Sequence, residues 1–548
     1  MTQENFPKAG KILFTLSKSR YHPAFQTWYF PLKRQCKELI CFDTHWNEIL
    51  YGKKIMNRKF IEFIKKEEPD YILLGSGPDE LYLDTLLKIK QVSPKTKTMM
   101  SFGDDDVEFE RFSRYIMLFI DIAIVHQKKF MGKYKKEGIK NIFYATGLDS
   151  GTFKPLDIEK KYDITFTGQP LTEKTGRYRF IKFLKDKGMP INLFGWGWEK
   201  YFDLKNIYRG ILLNEGLLKV INQSKIYLDF SKNSAGEPHL KGRIFMGGAC
   251  KTFVLTEYCK DYLDFFEEGK EIIMFKSKED LLKKIEYYLK NEKERQKIAD
   301  ATYKKVIENY NLDVELRNVF NKTKNKKYIC KLPNISEKSF SISEKDILNK
   351  NNLMDKLKNY DYISFKKNGA SYLKFKDFLQ IYSLKITKKP ISCCNYYVYT
   401  KNLGDYLCSC TEKSFRSLDK EDFISFLDLS QIVVTKKFFL DNLEKFKKAF
   451  HGKIDFLNMD NTAFVDFPLV RIKKISIKKY PIMEKVFSFK FVYQLYSLYY
   501  TKKIFYKPYI PSLFFEIFSG KFFILRHLFD SIRDKSRMNK LKIYQDLS

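Results

Sequence analysis

The feature that most constrains the fold is an alternation of short apolar runs, rich in β-branched and aromatic residues, with amphipathic stretches of helical spacing. This alternation is typical of a parallel sheet covered by crossover helices. The strands predicted in the first 155 residues are Lys11–Ser17, Glu38–Asp43, Tyr71–Leu74, Thr98–Phe102, Ile122–His126 and Ile142–Thr146. Helices are predicted at Lys54–Lys66 and Pro78–Lys90. Residues 1–155 are therefore predicted to form one Rossmann-like domain.

The same alternation restarts after Pro155. The predicted strands are Asp163–Thr167, Ile191–Phe194, Lys225–Phe230, Phe253–Thr256 and Glu271–Phe275, and the predicted helices are Arg179–Lys187, Asp280–Lys290 and Glu292–Tyr310. A second Rossmann-like domain over residues 156–328 follows from this pattern. Two such domains in succession predict two facing sheets with a ligand cleft between them, lined by strand carboxyl ends and helix amino ends.

The remaining 220 or so residues are less regular. Residues 321–351 are polar and predict a connector. An accessory α/β or α+β domain is predicted over 329–480, with strands Tyr362–Phe365, Tyr396–Tyr399 and Ile432–Thr435 and helices Phe375–Leu384 and Lys436–Phe450. Residues 481–548 predict a basic, aromatic helical tail.

The charge balance points to an anionic partner, because 100 Lys and Arg residues face 66 Asp and Glu residues for a net charge of +34. That partner can be nucleic acid, a lipid surface or a phosphorylated substrate. Nucleic acid is disfavoured, since the sequence lacks zinc-finger, RRM and helix-turn-helix signatures. Residues 486–528 alternate aromatic pairs with Lys and Arg, which suits either an interfacial helix on an anionic membrane or a basic cap whose aromatics fill a core.

Compartment signals favour the cytoplasm. No apolar run approaches the roughly 18 residues of a membrane-spanning helix, and the polar start lacks the order of a signal peptide. Nine scattered cysteines do not suggest a disulfide framework.

The stretch Leu240–Tyr258 carries the chemistry that a diphosphate needs. Lys241 and Arg243 precede a helix-like step with Gly247 and Gly248, and a buried strand then leads to Glu257. Small residues let backbone N–H groups approach phosphate oxygens, and an arginine can hold two oxygens at once. The alternative for the basic pair is a solvated helix face.

The order of motifs from Asp163 to about Asn311 resembles the nucleotide-sugar-binding half of CgeB-like (spore-maturation type) glycosyltransferases, a family of GT-B fold. The resemblance is carried by Ile164–Gln169, by Arg177 or Arg179, by Phe194–Trp198 and by the segments from Leu240 onward. Residues 1–155 resemble the family more loosely, through Phe102–Asp106 and Tyr144–Gly147. The resemblance implies a nucleotide-diphosphate sugar as co-substrate, no other cofactor, and a metal-independent reaction.

Roles for single residues follow from the same resemblance. Lys241 and Arg243 would stabilise the leaving diphosphate together with the turn at Gly168 and Gln169. Gly195 and Gly197 would let the backbone approach the nucleotide, and Trp196 would cover its base, although core packing is the alternative for Trp196 or Trp198. Met246 stands where the family usually has a glutamate that binds the ribose, so Glu237 or Glu257 would have to replace it.

The candidate acceptor-side residues follow strand ends of the first domain. Asp104, in the run Asp104–Asp106, could take a proton from an acceptor hydroxyl, and a metal site or a helix N-terminal cap are the alternatives. His22 and His45 could line the cleft, whereas His126 is expected to be structural. No metal site is predicted.

These observations favour a glycosyltransferase that moves a sugar to a cell-surface glycan, a lipid-linked saccharide or a protein. A transferase-like binding or scaffold protein without turnover is the first alternative, and a nucleic-acid-binding protein is the second. Residues 360–369 and 391–397 faintly resemble part of a GT-A glycosyltransferase without its Asp-x-Asp metal motif.

Overall fold

The computed structural model describes residues 8–15, 23–75, 81–139, 141–145, 147–171, 175–212, 215–233, 236–326, 332–348, 350–400, 404–408, 429–450, 454, 456–458 and 460–472. His22, Pro78 and the predicted tail 481–548, with its membrane candidate 486–528, lie outside these residues. Every helix among the described residues is too short or too polar to cross a bilayer.

The N-terminal half is a six-stranded parallel sheet with strand order β2-β1-β3-β4-β5-β6. Its strands are β1 (Ala9–Thr15), β2 (Cys36–Phe42), β3 (Tyr71–Leu74), β4 (Lys97–Phe102), β5 (Ile122–Val125) and β6 (Ile142–Tyr144). The helices are α1 (Pro23–Gln35), α2 (Thr44–Tyr51), α3 (Lys53–Glu67), α4 (Leu83–Val92), α5 (Asp105–Glu108), α6 (Arg114–Ile116) and α7 (Lys128–Lys136). The central strands are buried along their length, as strands covered on both faces must be.

The second Rossmann-like half is again a parallel sheet with helices, and its five strands are in the order β11-β10-β9-β7-β8. Its strands are β7 (Tyr162–Thr167), β8 (Ile191–Phe194), β9 (Ser224–Asp229), β10 (Phe253–Glu257) and β11 (Ile273–Phe275). The helices are α8 (Arg177–Asp186), α9 (Glu215–Asn222), α10 (Arg243–Ala249), α11 (Lys278–Lys290) and α12 (Glu292–Asn309). The predicted α/β fold class with two Rossmann-like halves is thus confirmed.

The chain returns to the N-terminal half after α12. Helix α13 (Leu312–Thr323) packs Leu316, Val319 and Phe320 into the hydrophobic cluster that includes Ile12 of β1. Asp313 at its start also pairs with Arg34 of α1, at 2.7 Å. Because α13 follows the second sheet yet packs on the first, it fastens the two halves together.

The accessory region forms a mixed sheet in which β12-β13-β17-β15-β18-β14 are neighbours and β16 pairs with β15. Its strands are β12 (Ser339–Ile342), β13 (Tyr362–Phe365), β14 (Ala370–Tyr372), β15 (Ile391–Thr400), β16 (Gly404–Cys408), β17 (Ile432–Thr435) and β18 (Thr462–Ile472). The helices are α14 (Glu344–Leu348), α15 (Lys350–Leu357), α16 (Lys376–Thr387), α17 (Lys436–Asp441) and α18 (Leu443–Phe450). The prediction of a plain connector over 321–351 is wrong, since α13, β12 and α14 overlap it.

The accessory sheet and the N-terminal half share one hydrophobic core. Phe112 stacks on Phe467 with ring centroids 5.3 Å apart, and Phe119 meets Phe375 edge-on at 5.0 Å. Such joint burial of large aromatics ties the stability of the two regions together. The exact domain boundaries stay predictions.

Candidate active site

The cationic part of the site lies where β7, β9 and β10 end, at the edge where open α/β sheets bind ligands. Arg243 is the first residue of α10. Its Nε donates to the carbonyl of Thr167 at 2.8 Å and its Nη1 to Asp229 Oδ1 at 2.9 Å. Within the described residues, Nη2 makes no hydrogen bond, and it lies so close to Gly168 that a Cβ there would be 2.7 Å away. Arg243 therefore keeps one N–H edge for an anion.

A buried carboxylate fixes the guanidinium of Arg243. Asp229 at the end of β9 is fully buried and accepts from Tyr262 Oη at 2.7 Å and Thr256 Oγ1 at 3.0 Å. Burial alone would raise the pKa of Asp229, but the charge of Arg243 and these hydrogen bonds lower it. An ionised Asp229 thus holds the arginine in place.

Arg177, at the start of α8, orders the backbone around the site. Its Nη1 donates to the carbonyl of Gln169 at 2.9 Å and its Nη2 to that of Lys232 at 3.1 Å. Burial, and then the nearby charge of Arg243, lower the pKa of Arg177 to about 10. The predicted donor-binding residues Arg177 and Gln169 are thus adjacent, but the Nη groups of Arg177 donate to carbonyls, and Gln169 contributes its backbone oxygen.

Lys241 supplies a second cation beside Arg243. Its ammonium makes no hydrogen bond or ion pair to any residue that the structure describes, although the side chain is partly buried. Burial, and then the charge of Arg243, lower the pKa of Lys241 to about 8. The structure therefore brings together the two residues that the sequence nominates for the diphosphate.

The glycines divide into two groups. Gly195 has φ +128°, and a Cβ there would overlap the carbonyl oxygen of Gly168, so these two glycines let adjoining loops touch backbone to backbone. Gly197, with φ +87°, lies against Pro170 in the same loop pair. All three predicted residues therefore lie at the carboxyl edge of the second sheet and shape it.

Gly247 and Gly248 have a different role from the one predicted. A Cβ at Gly247 would overlap Val254 of β10, and one at Gly248 would lie 2.9 Å from Thr302 and Val306 of α12. Both are buried inside α10. They are packing glycines, and the predicted phosphate contact is corrected to a close approach between α10 and its neighbours.

The two tryptophan candidates and the two glutamate candidates each differ in burial. Trp198 is 1% exposed and donates to the carbonyl of Gly168 at 2.6 Å, whereas Trp196 is 40% exposed beside it. Glu257 ends β10, is buried, and pairs with Lys232 Nζ at 2.7 Å. Glu237 is exposed and its backbone pairs with Asn233. Core packing thus accounts for Trp198, and of the two glutamates Glu257 lies at the sheet edge.

The N-terminal half meets this edge through the predicted run of aspartates. Asp106 Oδ1 accepts from Gln127 Nε2 at 3.0 Å, and its Oδ2 accepts from Asn233 Nδ2. Asp104 is 70% exposed at the side chain and lies 3.7 Å from His239 Nε2. The contacts to Asn233 and His239 cross from the first half to the second, so the predicted acceptor residue Asp104 lies at the junction of the two halves.

Asp105 points elsewhere. It is 2% exposed and accepts from Tyr134 Oη at 3.0 Å. Burial raises its pKa to about 6. It belongs to the core of the N-terminal half. The ring of His126 is half-buried and hydrogen-bonded to Ser101 Oγ at 2.7 Å, and burial lowers its pKa to about 4.

The ligand atoms of Asp104, Asp106 and His239 lie within 4.8 Å of one another, a spacing that a divalent cation can use. The amide N–H groups of Asn233 and Gln127 already donate to the oxygens of Asp106. The Asn233 amide is oriented by its own oxygen, which accepts from the backbone N–H of Glu237 at 3.1 Å. We therefore describe this group as a hydrogen-bonded network, and the prediction that no metal binds stays a prediction.

His239 and Gln127 are site residues that the sequence reasoning missed. Gln127 Nε2 lies 2.6 Å from His239 Nδ1 across the junction, although the two residues are 112 positions apart. The only local signal is that His239 comes two residues before Lys241. Of the predicted histidines, His22 lies outside the described residues, and the side chain of His45 is not described.

Comparison with known proteins gives a family match over most of the second Rossmann-like half. Residues 176–321 match the family described as glycosyl transferase-like (Glyco_trans_1_2). No curated protein sequence matches the chain.

Solved structures with a similar fold include Anabaena HepE in complex with UDP-glucose, at 10% identity and a TM-score of 0.43, over 58% of this chain and 100% of that one. A glycosyltransferase from Rickettsia africae aligns at 15% identity and a TM-score of 0.42, over 59% of this chain and 100% of that one. Sucrose-phosphate synthase from Thermosynechococcus elongatus aligns at 9% identity and a TM-score of 0.41, over 57% and 99%.

The family match spans α8 to α13 and so contains Arg177, Lys241 and Arg243. It falls on the half whose sheet edge carries the cationic cluster. Residues 176–321 are therefore similar to the glycosyl transferase-like family, and they form most of the second of two Rossmann-like halves.

Proposed function

We propose that the chain transfers a sugar from a nucleotide-diphosphate sugar to an acceptor hydroxyl, and that it is a CgeB-like enzyme. The observation that carries this proposal is the pair of cations at the sheet edge, the N–H edge of Arg243 beside Gly168 and the ammonium of Lys241. Fixed cations that are present before the substrate arrives stabilise charge at little reorganisation energy. The donor half is the one that matches the transferase family.

The chemistry follows from where charge develops. When the bond between the anomeric carbon and the diphosphate breaks, the leaving oxygen becomes more negative. Arg243 can donate through Nη2 while Asp229 and the carbonyl of Thr167 hold its other N–H groups. Lys241 adds a compact charge. In this proposal the two side chains supply the stabilisation, so the reaction is metal-independent.

The direct test is a panel of nucleotide sugars with release of nucleoside diphosphate as the readout. Arg243→Ala would leave the buried carboxylate of Asp229 without the positive charge that balances it, so Lys241→Ala and Arg243→Lys are better variants. Each is expected to weaken donor affinity or turnover by 10-fold or more, because a charge-assisted contact to phosphate contributes about 1.5–3 kcal/mol. Lys260→Ala, an exposed site in the same half, is the matched control. Full activity in Lys241→Ala and Arg243→Lys would contradict the proposal.

A second candidate is a protein that binds nucleotide sugars without turnover. It is favoured by Met246, which packs on the hydrophobic cluster behind α10 and offers no hydrogen bond to a ribose. Donor binding without any nucleoside diphosphate release would support this candidate. Glu257 remains the carboxylate at the sheet edge that could take the place of the missing glutamate.

The acceptor stays a prediction: a surface glycan, a lipid-linked saccharide or a protein. A cytoplasmic location with contact to an anionic membrane through 486–528 is proposed on sequence grounds alone. Sedimentation of the full chain and of a chain ending at residue 480 with anionic vesicles tests that contact. Equal sedimentation of the two would contradict it.

A further inference from the structure

We propose that the Nε2–H of His239 and the carboxylate of Asp104 together bind one hydroxyl group of the sugar that the donor carries. This inference rests on the proposed transferase function and deepens it, because it assigns a sugar-binding pair within the same site. One member of the pair comes from each half of the chain. His239 lies in the loop after β9 of the second half, and Asp104 follows β4 of the first half.

The tautomer of His239 is fixed by a buried amide. Gln127 Nε2 lies 3.0 Å from both the carbonyl oxygen of Gly103 and Asp106 Oδ1. The reversed amide would set its oxygen against these two oxygens, so the NH₂ end of Gln127 is the end that faces them. The same NH₂ group lies 2.6 Å from His239 Nδ1. The neutral ring therefore accepts at Nδ1 and carries its proton on Nε2.

The Nε2–H of His239 has no hydrogen-bond acceptor among the residues that the structure describes. Asp104 Oδ1, at 3.7 Å, lies beyond hydrogen-bond distance. The side chain of His239 is 7% exposed, whereas that of Asp104 is 70% exposed. Burial, and then the charge of Lys241, lower the pKa of His239, so the ring is neutral at neutral pH. A buried N–H without an acceptor costs free energy that a ligand oxygen would recover.

A donor and an acceptor at this spacing suit a hydroxyl group. The hydroxyl oxygen can accept from His239 Nε2 while its hydrogen is donated to Asp104 Oδ1, because 3.7 Å is shorter than two hydrogen bonds placed end to end. A diphosphate oxygen of a nucleotide sugar carries no proton at neutral pH, so the Asp104 carboxylate would repel it. A hydroxyl satisfies both groups, and hydroxyls are the polar groups of a sugar.

The neighbouring cation places this pair beside the sugar of the donor. Lys241 follows His239 by two residues. Burial and the charge of Arg243 lower the pKa of Lys241, and the charge of Asp104 opposes them. Asp104 therefore lies within electrostatic reach of the ammonium that is proposed to bind the diphosphate. Since the sugar is bonded directly to the diphosphate, a hydroxyl-binding pair next to Lys241 faces the sugar.

The pair exists only while the two halves are in contact. The backbone N–H of His239 donates to the carbonyl of Ser231 at 3.1 Å, which ties the ring to the second half. Asp104 and Gln127, which complete the pair and orient the ring, belong to the first half. Binding of a sugar hydroxyl therefore favours the closed cleft, and a nucleoside diphosphate without the sugar lacks this contribution.

The experiment measures, by calorimetry and without an acceptor, the dissociation constants of a nucleotide sugar and of its own nucleoside diphosphate. The pairs come from the nucleotide-sugar panel of the proposed function, such as UDP-glucose with UDP. His239→Leu is expected to weaken the nucleotide sugar by about 3- to 10-fold, the size of one net hydrogen bond, and to leave the nucleoside diphosphate within about twofold. His239→Gln keeps an N–H donor and is expected to recover most of the lost affinity. Lys260→Ala, the control, is expected to match the unaltered chain for both ligands.

Asp104→Ala supplies a readout that a merely structural role would not move. Removal of this exposed carboxylate takes away the acceptor of the hydroxyl proton, but it leaves Lys241 and Arg243 to bind the diphosphate without an opposing charge. The nucleoside diphosphate is therefore expected to bind as well as before or more tightly. The dissociation constant of the nucleotide sugar, divided by that of the nucleoside diphosphate, is expected to rise about 10-fold.

Analogues of the nucleotide sugar that each lack one sugar hydroxyl identify the group that is bound. One of them is expected to bind the unaltered chain as weakly as the parent binds His239→Leu, and to lose no further affinity in that variant. If every analogue were as sensitive to His239→Leu as the parent, the inference would be wrong.

The ratio of the two dissociation constants decides the result. A ratio within about twofold of that of the unaltered chain, in either His239→Leu or Asp104→Ala, would overturn the inference, and this includes equal weakening of both ligands. The exposed position of Asp104 and the affinity for the nucleoside diphosphate show that the variants are folded. Absence of binding of every nucleotide sugar and nucleoside diphosphate to the unaltered chain would instead overturn the proposed function.

Discussion

Affinity for a nucleotide sugar is expected to fall as the pH rises from 7 to 9, because Lys241 loses its proton in that interval. Burial and the charge of Arg243 lower the pKa of Lys241 from 10.5 to about 8. A lowered lysine pKa means that the ammonium is present below about pH 8 and lost above it. The protonated fraction of the free protein drops from roughly nine-tenths at pH 7 to one-tenth at pH 9, so affinity should drop about 10-fold if only the ammonium binds the diphosphate.

Calorimetry with an intact nucleotide sugar suits this measurement, since its diphosphate is fully ionised throughout the range. Lys241→Ala should bind weakly with little dependence on pH, and Lys241→Arg should bind well at both pH values because a guanidinium stays charged. Lys260→Ala should keep the slope of the unaltered chain. A flat profile for the unaltered chain, or the same slope in Lys241→Ala, would refute the assignment of Lys241 to the diphosphate.

Three further predictions concern the fold around the site. Gly195→Ala should lower the free energy of unfolding by about 1–3 kcal/mol in urea titrations, because its Cβ would overlap the carbonyl oxygen of Gly168, and should do so by more than Gly210→Ala, which has a positive φ and open space. Burial raises the pKa of Asp105 from 3.8 to about 6, so the folded state binds the proton more tightly and stability should fall by about 3 kcal/mol as the pH rises from about 4 to 7. Asp105→Asn should abolish that fall, and an unchanged pH dependence would contradict the cause given. Phe467→Ala should cost about 3–5 kcal/mol and should speed hydrogen exchange in the N-terminal half as well as in the accessory sheet; acceleration in the accessory sheet alone would contradict a shared core.

Many strands of the two parallel sheets could be predicted from the sequence, because a buried strand is a short run of apolar residues. Tyr71–Leu74 and Ile191–Phe194 were predicted with the bounds that the structure has. Strand β12 was missed because Ser339–Ile342 alternates serine with apolar residues inside a polar stretch, and its pairing with β13 is non-local. The structure has two helices, with Asn442 between them, where one helix was predicted over Lys436–Phe450. Apolar periodicity alone does not show where a helix ends.

A residue of the candidate site could be predicted where its chemistry depends on its own type. It could not be predicted where its role depends on residues distant in sequence that the fold places beside it. Lys241 and Arg243 are cations wherever the fold places them. Gly247 was read as a phosphate contact, but its role is set by Val254, which no local pattern reveals. His239 acquires meaning only beside Gln127 and Asp106, which come from the other half of the chain.

The charges at the sheet edge show which cation is left for a ligand. Arg243 is balanced by the buried Asp229, Lys232 is paired with Glu257, and Arg177 donates to backbone carbonyls. Lys241 has no such partner among the described residues, and its lowered pKa records the free energy needed to keep it charged there. A diphosphate placed beside Gly168 would remove that cost and fill the open edge of Arg243. An anion of this kind therefore stabilises the charged form of Lys241, whereas a neutral sugar alone would not.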